Sequence, residues 1–271
     1  KLGIPAKTKH NEVTPCQHEL APVFDTCNVA VDRNQLTMEM MKKVAKKHGY
    51  VCLLHEKPFE GINGSGKHDN WSLCMDTGIN LLEPGKTPGD NIKFLVFLAA
   101  VVWAVDEYAD LMRFSVASAG NDHRLGANEA TPAIISIFLG DELTAVVEAI
   151  EKGEFFGKSE KVRMEMGAAV IPHFTRDTTD RNRTSPFAFT GNKFEFRSLG
   201  SAASVADPNI ILNTAVAEIL KRFADQLEKV EGDRSNTIHT LIRDTFVNHK
   251  RVIFNGNDYS QEWVDEAKKR G

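Results

Sequence analysis

The chain has 271 residues, 42% of them hydrophobic, enough apolar material for one large core or two small ones. Its formal charge of -4 leaves no footprint for nucleic acid or an anionic membrane, and the longest apolar run, residues 94–105, is too short to span a bilayer. The four cysteines, Cys16, Cys27, Cys52 and Cys74, form no CxxC pair and no zinc spacing, so they read as reduced thiols of a cytoplasmic protein. No charged-then-apolar leader opens the chain, and export is not expected.

The first chemistry in chain order is Glu12-Val13-Thr14-Pro15-Cys16-Gln17-His18-Glu19. Two carboxylates could ligate Mg or Mn, hard cations that take oxygen ligands. Seven is an odd spacing, so on one unbroken strand Glu12 and Glu19 face opposite ways, and a shared site needs a break or bulge near Pro15. Taken alone, two glutamates on a solvated edge are the commoner arrangement.

Residues 36–48 place Leu36, Met40, Val44 and Ala45 among lysines and end at Gly49, which predicts an amphipathic helix. Residues 50–54 are β-rich. A glycine-rich turn over 61–66 leads into a strand with His68, Asn70 and Ser72 on one face. A second turn region, 84–89, precedes the apolar helix, for which Asp90 is the expected N-cap. Residues 133–139 read as a buried strand, and Gly140-Asp141 starts a helix with Leu143, Val146, Val147 and Ile150 on its apolar side.

Residues 175–190 form a long polar stretch rich in Arg, Asp and Thr, of a length more often functional than idle. Lys193-Phe194-Glu195-Phe196-Arg197 then alternates: a carboxylate between two cations on one face, two phenylalanines on the other. Asp207-Pro208 opens a long helix to about Val230, stopped by Gly232. The tail predicts a helix over 237–248, a short strand over 252–254 and a last helix from Ser260. Helices and short strands that do not alternate regularly give an α+β fold.

A carboxylate between cations, beside an imidazole with two small polar groups, suits a divalent metal, a phosphate chain and a charged small substrate. Each piece also has a plainer reading. Asn63-Gly64-Ser65-Gly66 could bring backbone amides to a carboxylate or phosphate, or be only a turn. A lone His68 is more often a satisfied core histidine than a ligand. Arg124, near Glu129, could clamp a carboxylate or form a surface ion pair. Arg181 and Arg183 could neutralise a phosphoryl group or belong to a solvated loop.

In order, EVTPCQHE, GINGSGKHDNWSL, NDHRLGANEATPA, DRNRTSPFAFTGNKFEFR and ADPNIIL resemble the glutamine synthetase catalytic domain. The phrases RTSPFAFTGNKFEFR and HKRVIFNGNDYSQEWVDEA are similar to the large bacterial type III branch in particular. The resemblance covers essentially the whole chain. It implies a curved antiparallel sheet flanked by helices, with the catalytic domain over residues 1–232, a C-terminal helical extension over 233–271, and the N-terminal β-grasp domain absent.

It also implies roles at matching positions. Glu12 and Glu19 match ligands of one divalent ion, and His68 and Glu195 match ligands of a second, with Mg or Mn as cofactor, two or more per site. Asn63 and Gly64 match the part of the site that holds the amino acid. Arg124 and Arg197 match arginines that grip glutamate and the developing phosphate. Glu129 matches the flap glutamate that helps deprotonate ammonium, one residue closer to its arginine than in commoner branches. Arg183 resembles the arginine facing the transferred phosphoryl group, although Thr184-Ser185-Pro186-Phe187 replaces the usual segment ending in a second arginine. Ser72, Lys193 and, more loosely, Phe24 fall where the family contacts ATP.

The implied reaction joins ammonium to L-glutamate at the expense of ATP through a γ-glutamyl phosphate, in a homo-oligomeric ring with sites between subunits. Two further metal-binding glutamates and a neighbour's aspartate fall upstream in the family, outside this chain. The rival expectations are a ligase that uses another amine and a non-catalytic scaffold or sensor of the same fold.

Overall fold

In the computed structural model the described residues are 2–12, 15–62, 66–126, 132–153 and 185–270. A hairpin comes first: β1 (Ala6–Asn11) pairs antiparallel with β2 (His18–Pro22). After α1 (Cys27–Lys47) and a long loop, β3 (Lys67–Trp71) enters a four-stranded sheet with β4 (Ile137–Phe138), β5 (Phe187–Phe189) and β6 (Phe194–Leu199). The order is β3-β6-β5-β4. Pairs β3-β6 and β5-β6 are antiparallel, as expected, while the short edge pair β4-β5 is parallel.

The alternation of β6 explains where the sheet packs. Phe194 and Phe196 are buried, Phe194 stacks on Phe187 at 4.5 Å, and Phe189 meets Phe94 of α2 (Ile92–Glu107) at 5.9 Å. Helix α2 is apolar on nearly every side because it is enclosed, with Leu95, Leu98, Val101, Val102 and Val105 fully buried. Short helices α3 (Ala109–Phe114) and α4 (Ala119–Arg124) follow it. Helix α5 (Gly140–Lys152) buries the four apolar residues expected of it and ends at Gly153, left-handed at φ 69°. Helices α6 (Ala206–Leu227) and α7 (Ser235–His249) pack on α2, and Leu241, Ile242 and Phe246 of α7 join the same apolar cluster. Helix α8 (Gln261–Arg270) closes the described chain.

Four local expectations change. Residues 50–54 form no strand: Tyr50 and Val51 are 73% and 81% exposed, so β propensity finds neither a partner strand nor a surface to cover. The cap of α2 is Asn91, whose Oδ1 accepts from Phe94 N at 3.1 Å, while Asp90 ends the 3-10 turn Pro88–Asp90. The strand expected over 133–139 contracts to Ile137–Phe138, as little of β5 lies beside it. The tail strand is replaced by the 3-10 turn Lys250–Val252, after which Phe254 N donates to Ile137 O at 2.8 Å. Among the described residues no helix is long and apolar enough to cross a membrane.

Candidate active site

The odd spacing of Glu12 and Glu19 is resolved by a hairpin. The chain turns at Pro15–Cys16, with Cys16 left-handed at φ 59°, and Glu12 N donates to Gln17 O at 3.0 Å. Glu19 then stands opposite His10 across the ladder, and Glu12, two residues on from His10, lies on the same side. His10 Nε2 is 2.7 Å from Glu12 Oε1 and 3.5 Å from Glu19 Oε2. One ligand atom from each of His10, Glu12 and Glu19 lies within 4.8 Å of the others. The motifs alone do not single out His10, because the pairing that recruits it is non-local; its position two before Glu12 is the available signal.

The two carboxyl groups share a hydrogen bond that sets their acidities apart. It holds Glu12 below the ordinary carboxylate range, and it raises Glu19, helped by partial burial and by the charge on Glu12. His68 acts on both, lowering each, which places the β3 histidine within electrostatic reach of the hairpin. Two carboxyl groups this close, with the His10 imidazole beside them, form a donor set that fits a divalent cation.

The second cluster lies on β3 and β6. Asn70 is directly opposite Glu195, but the register shifts between Lys67 and Asp69, and His68 Nδ1 reaches Glu195 Oε1 at 3.3 Å. The other oxygen, Oε2, accepts from Arg197 Nε at 3.1 Å, and Arg197 is 4% exposed. At the far end of the pair, Ser72 Oγ donates to Asn192 O at 2.8 Å, next to Lys193, whose Nζ donates to Thr190 O at 3.4 Å. Phe24 projects into solvent at 90% exposure.

Arg124 is no surface ion pair, being 2% exposed. Its Nε donates to Asn121 Oδ1 at 3.2 Å, and Nη2 lies 3.4 Å from both Arg197 O and Leu199 O, along the backbone that carries Arg197. The structure thus gathers Glu12 and Glu19 in one cluster, and His68, Glu195 and Arg197 in another with Arg124 beneath it. Asn63, Gly64, Glu129 and Arg183 lie outside the described residues.

Known proteins are similar to this chain in sequence and in fold. Residues 1–165 match the family model described as glutamine synthetase, catalytic domain, and residues 237–271 match glutamine synthetase C-terminal domain. The whole chain is 61% identical to a glutamine synthetase of Butyrivibrio fibrisolvens and 53% identical to a type-3 glutamine synthetase of Dictyostelium discoideum. It covers 39% and 37% of those two proteins, so it spans about two fifths of the length of the curated relatives it matches. A solved structure titled as a GmaS/ADP complex superposes with a TM-score of 0.55 at 18% identity, covering 99% of this chain and 56% of the other. At that identity the likeness concerns the fold alone.

Proposed function

Because the chain belongs to the glutamine synthetase catalytic-domain family, we propose that it supplies the metal-, phosphate- and glutamate-binding groups of an ATP-dependent ligation of ammonia to L-glutamate. The observation that carries this reading is the convergence of the two clusters: the imidazole paired with Glu195 also acts on Glu12 and Glu19. The similarity to proteins named glutamine synthetase favours ammonia over other amines.

In this reading Glu12 and Glu19, with His10, would hold one Mg or Mn, and His68 and Glu195 would hold a second. When bound, the ions neutralise charge on the phosphate chain of ATP. Arg197 orients Glu195 through the Nε bond and keeps a buried positive charge beside the reacting groups. The γ-carboxylate of glutamate attacks the γ-phosphorus of ATP, the bond to the bridging oxygen breaks, and ADP leaves. Ammonium gives a proton to a carboxylate, for which Glu129 is the candidate. The nitrogen lone pair then attacks the acyl carbon of the γ-glutamyl phosphate, inorganic phosphate departs with the electrons of the broken bond, and the nitrogen releases a second proton to solvent, which leaves the neutral amide of glutamine.

Little covalent chemistry falls to the protein here; positioning and charge neutralisation do the rest. Asn63 and Gly64 would hold the amino acid, Arg124 its carboxylate, and Arg183 the transferred phosphoryl group. Ser72, Lys193 and Phe24 would contact the nucleotide. A ring of subunits in the cytoplasm, with sites between neighbours, belongs to the same proposal.

The test is glutamine formation from ATP, glutamate and ammonium with Mg or Mn, by this chain and by the full-length polypeptide that carries it. Glutamine from either supports the reading. A full-length polypeptide that turns over only with another amine, or not at all, rejects it.

A further inference from the structure

Glu56 belongs to neither cluster of the candidate site, yet it is a carboxylic residue only 6% exposed. It lies on the loop between α1 and β3, and two glycines leave room for its head. A Cβ on Gly200, just after β6, would meet Oε1 well inside contact distance, and one on Gly120 of α4 would stand 3.1 Å from Oε2. Gly120 is four residues before Arg124, on the same side of α4. The carboxylate is therefore wedged between the helix that carries Arg124 and the end of the strand whose carbonyls Arg124 binds.

A guanidinium this deep needs a counter-charge as well as acceptors. Among the described residues the acceptors are Asn121 Oδ1 and two strand carbonyls, all neutral. Asn121 is itself pinned, its Nδ2 donating to Val116 O at 2.8 Å and to Ser198 O at 2.7 Å. These contacts set the plane of the guanidinium without balancing its charge. Burial pulls Arg124 down to about 10, and the charge on Glu56 is the foremost influence in the other direction, followed by Tyr259.

We propose that Glu56 is a positioning residue: its buried carboxylate holds Arg124 charged and aimed at the carboxylate of the amino-acid substrate. The inference rests on the proposed role of Arg124 and adds the residue behind it. Removing the Glu56 charge weakens glutamate binding selectively, because the proposed nucleotide contacts Ser72 and Lys193 lie at the other end of β3 and β6.

The test is Glu56→Gln in the full-length polypeptide, with KM for glutamate and for ATP measured separately, and Glu56→Asp as the conservative variant. Glu56→Gln should raise KM for glutamate about tenfold, leave KM for ATP within about twofold, and Glu56→Asp should recover part of the loss. In parallel, hydrogen exchange at Arg124 Nε–H, followed by 15N NMR on this chain, should quicken in Glu56→Gln. That second readout needs no turnover, so faster exchange without wild-type activity rejects the ligase reading and keeps the influence of Glu56 on Arg124. Unchanged exchange, or equal rises in both KM values, overturns the proposal. Should Glu56→Gln not fold, Gly200→Ala, which displaces the carboxylate and keeps the charge, takes the same readouts.

Discussion

His68 Nδ1 and Glu195 Oε1 stand 3.3 Å apart although Asn70, not His68, is the residue directly opposite Glu195 on the neighbouring strand. The register shift between Lys67 and Asp69 brings the imidazole to the carboxylate. Glu195 is thus tied to His68 through one oxygen and to Arg197 through the other. Glu195→Ala should lower glutamine formation by the full-length polypeptide at least ~100-fold and reduce bound Mn2+, counted by electron paramagnetic resonance, by one ion per subunit. Retained activity with unchanged Mn2+ would sink the ligand assignment. The same substitution removes a buried acceptor from Arg197, so unfolding in urea should show a loss of about 2 kcal/mol.

His10 binds Glu12 at 2.7 Å and stands opposite Glu19. If it belongs to the first metal cluster, His10→Ala should weaken one class of Mn2+ binding about 10- to 100-fold by titration calorimetry. The second class, at His68 and Glu195, should be unaffected. Identical isotherms for the two proteins would remove His10 from the site.

Alternation along a strand is a local property, so the two faces of Lys193 to Arg197 are legible in the residues themselves, and Phe194 and Phe196 are indeed buried. The helical spacing of α5 is legible for the same reason. The features that are not legible are set by neighbours far along the chain. The hairpin that recruits His10 depends on which residues of β1 face which residues of β2, and no spacing of Glu12 and Glu19 alone fixes that register. The β-rich residues 50–54 form no strand because sheet order places no partner beside them. Asn91 displaces Asp90 as the cap of α2 because the turn Pro88–Asp90 carries Asp90 one residue too early. The burial of Arg124 has no sequence signal, since its acceptors on Arg197 and Leu199 lie more than 70 residues away.

The end of α2 is tied to α6 by a two-pronged ion pair. Arg222 Nη1 and Nη2 each lie 2.9 Å from a different oxygen of Glu107, and Trp103 Nε1 donates to Glu107 Oε2 at 2.6 Å. The bond from Arg222 is the foremost cause holding Glu107 below its ordinary value of 4.5. A depressed carboxylate contributes stability that is present above its unfolded value and lost as pH falls through the folded one. Both side chains are about one-third exposed, so the pair should contribute only about 0.5–1 kcal/mol. Glu107→Gln should therefore lower urea stability by that amount at pH 7, with the gap narrowing at an acidic pH below 4.5. An equal gap at both pH values would mean that packing against Trp103, not charge, holds the corner.

Gly66 stands where β3 and β6 come closest to the Arg124 layer. A Cβ there would press into Leu199 O and lie 2.7 Å from Arg124 Nη1. The first of these is backbone, paired through Lys67 and Leu199 in the ladder, and it cannot rotate away as a side-chain tip could. Gly66→Ala must therefore push β3 off β6 at the end that carries His68, which costs about 1–3 kcal/mol by the usual scale of overpacking. The displacement also moves His68 from Glu195 and presses on Arg124, so Mn2+ binding and glutamate binding should both weaken in a protein that remains folded. Gly61→Ala is the control: nothing lies within 4 Å of its Cβ, but its φ of 72° strains an L residue. It should lose about 1 kcal/mol while keeping metal affinity. If the two variants lose stability equally and both keep their Mn2+ affinity, close approach at Gly66 is not what sets the second metal cluster.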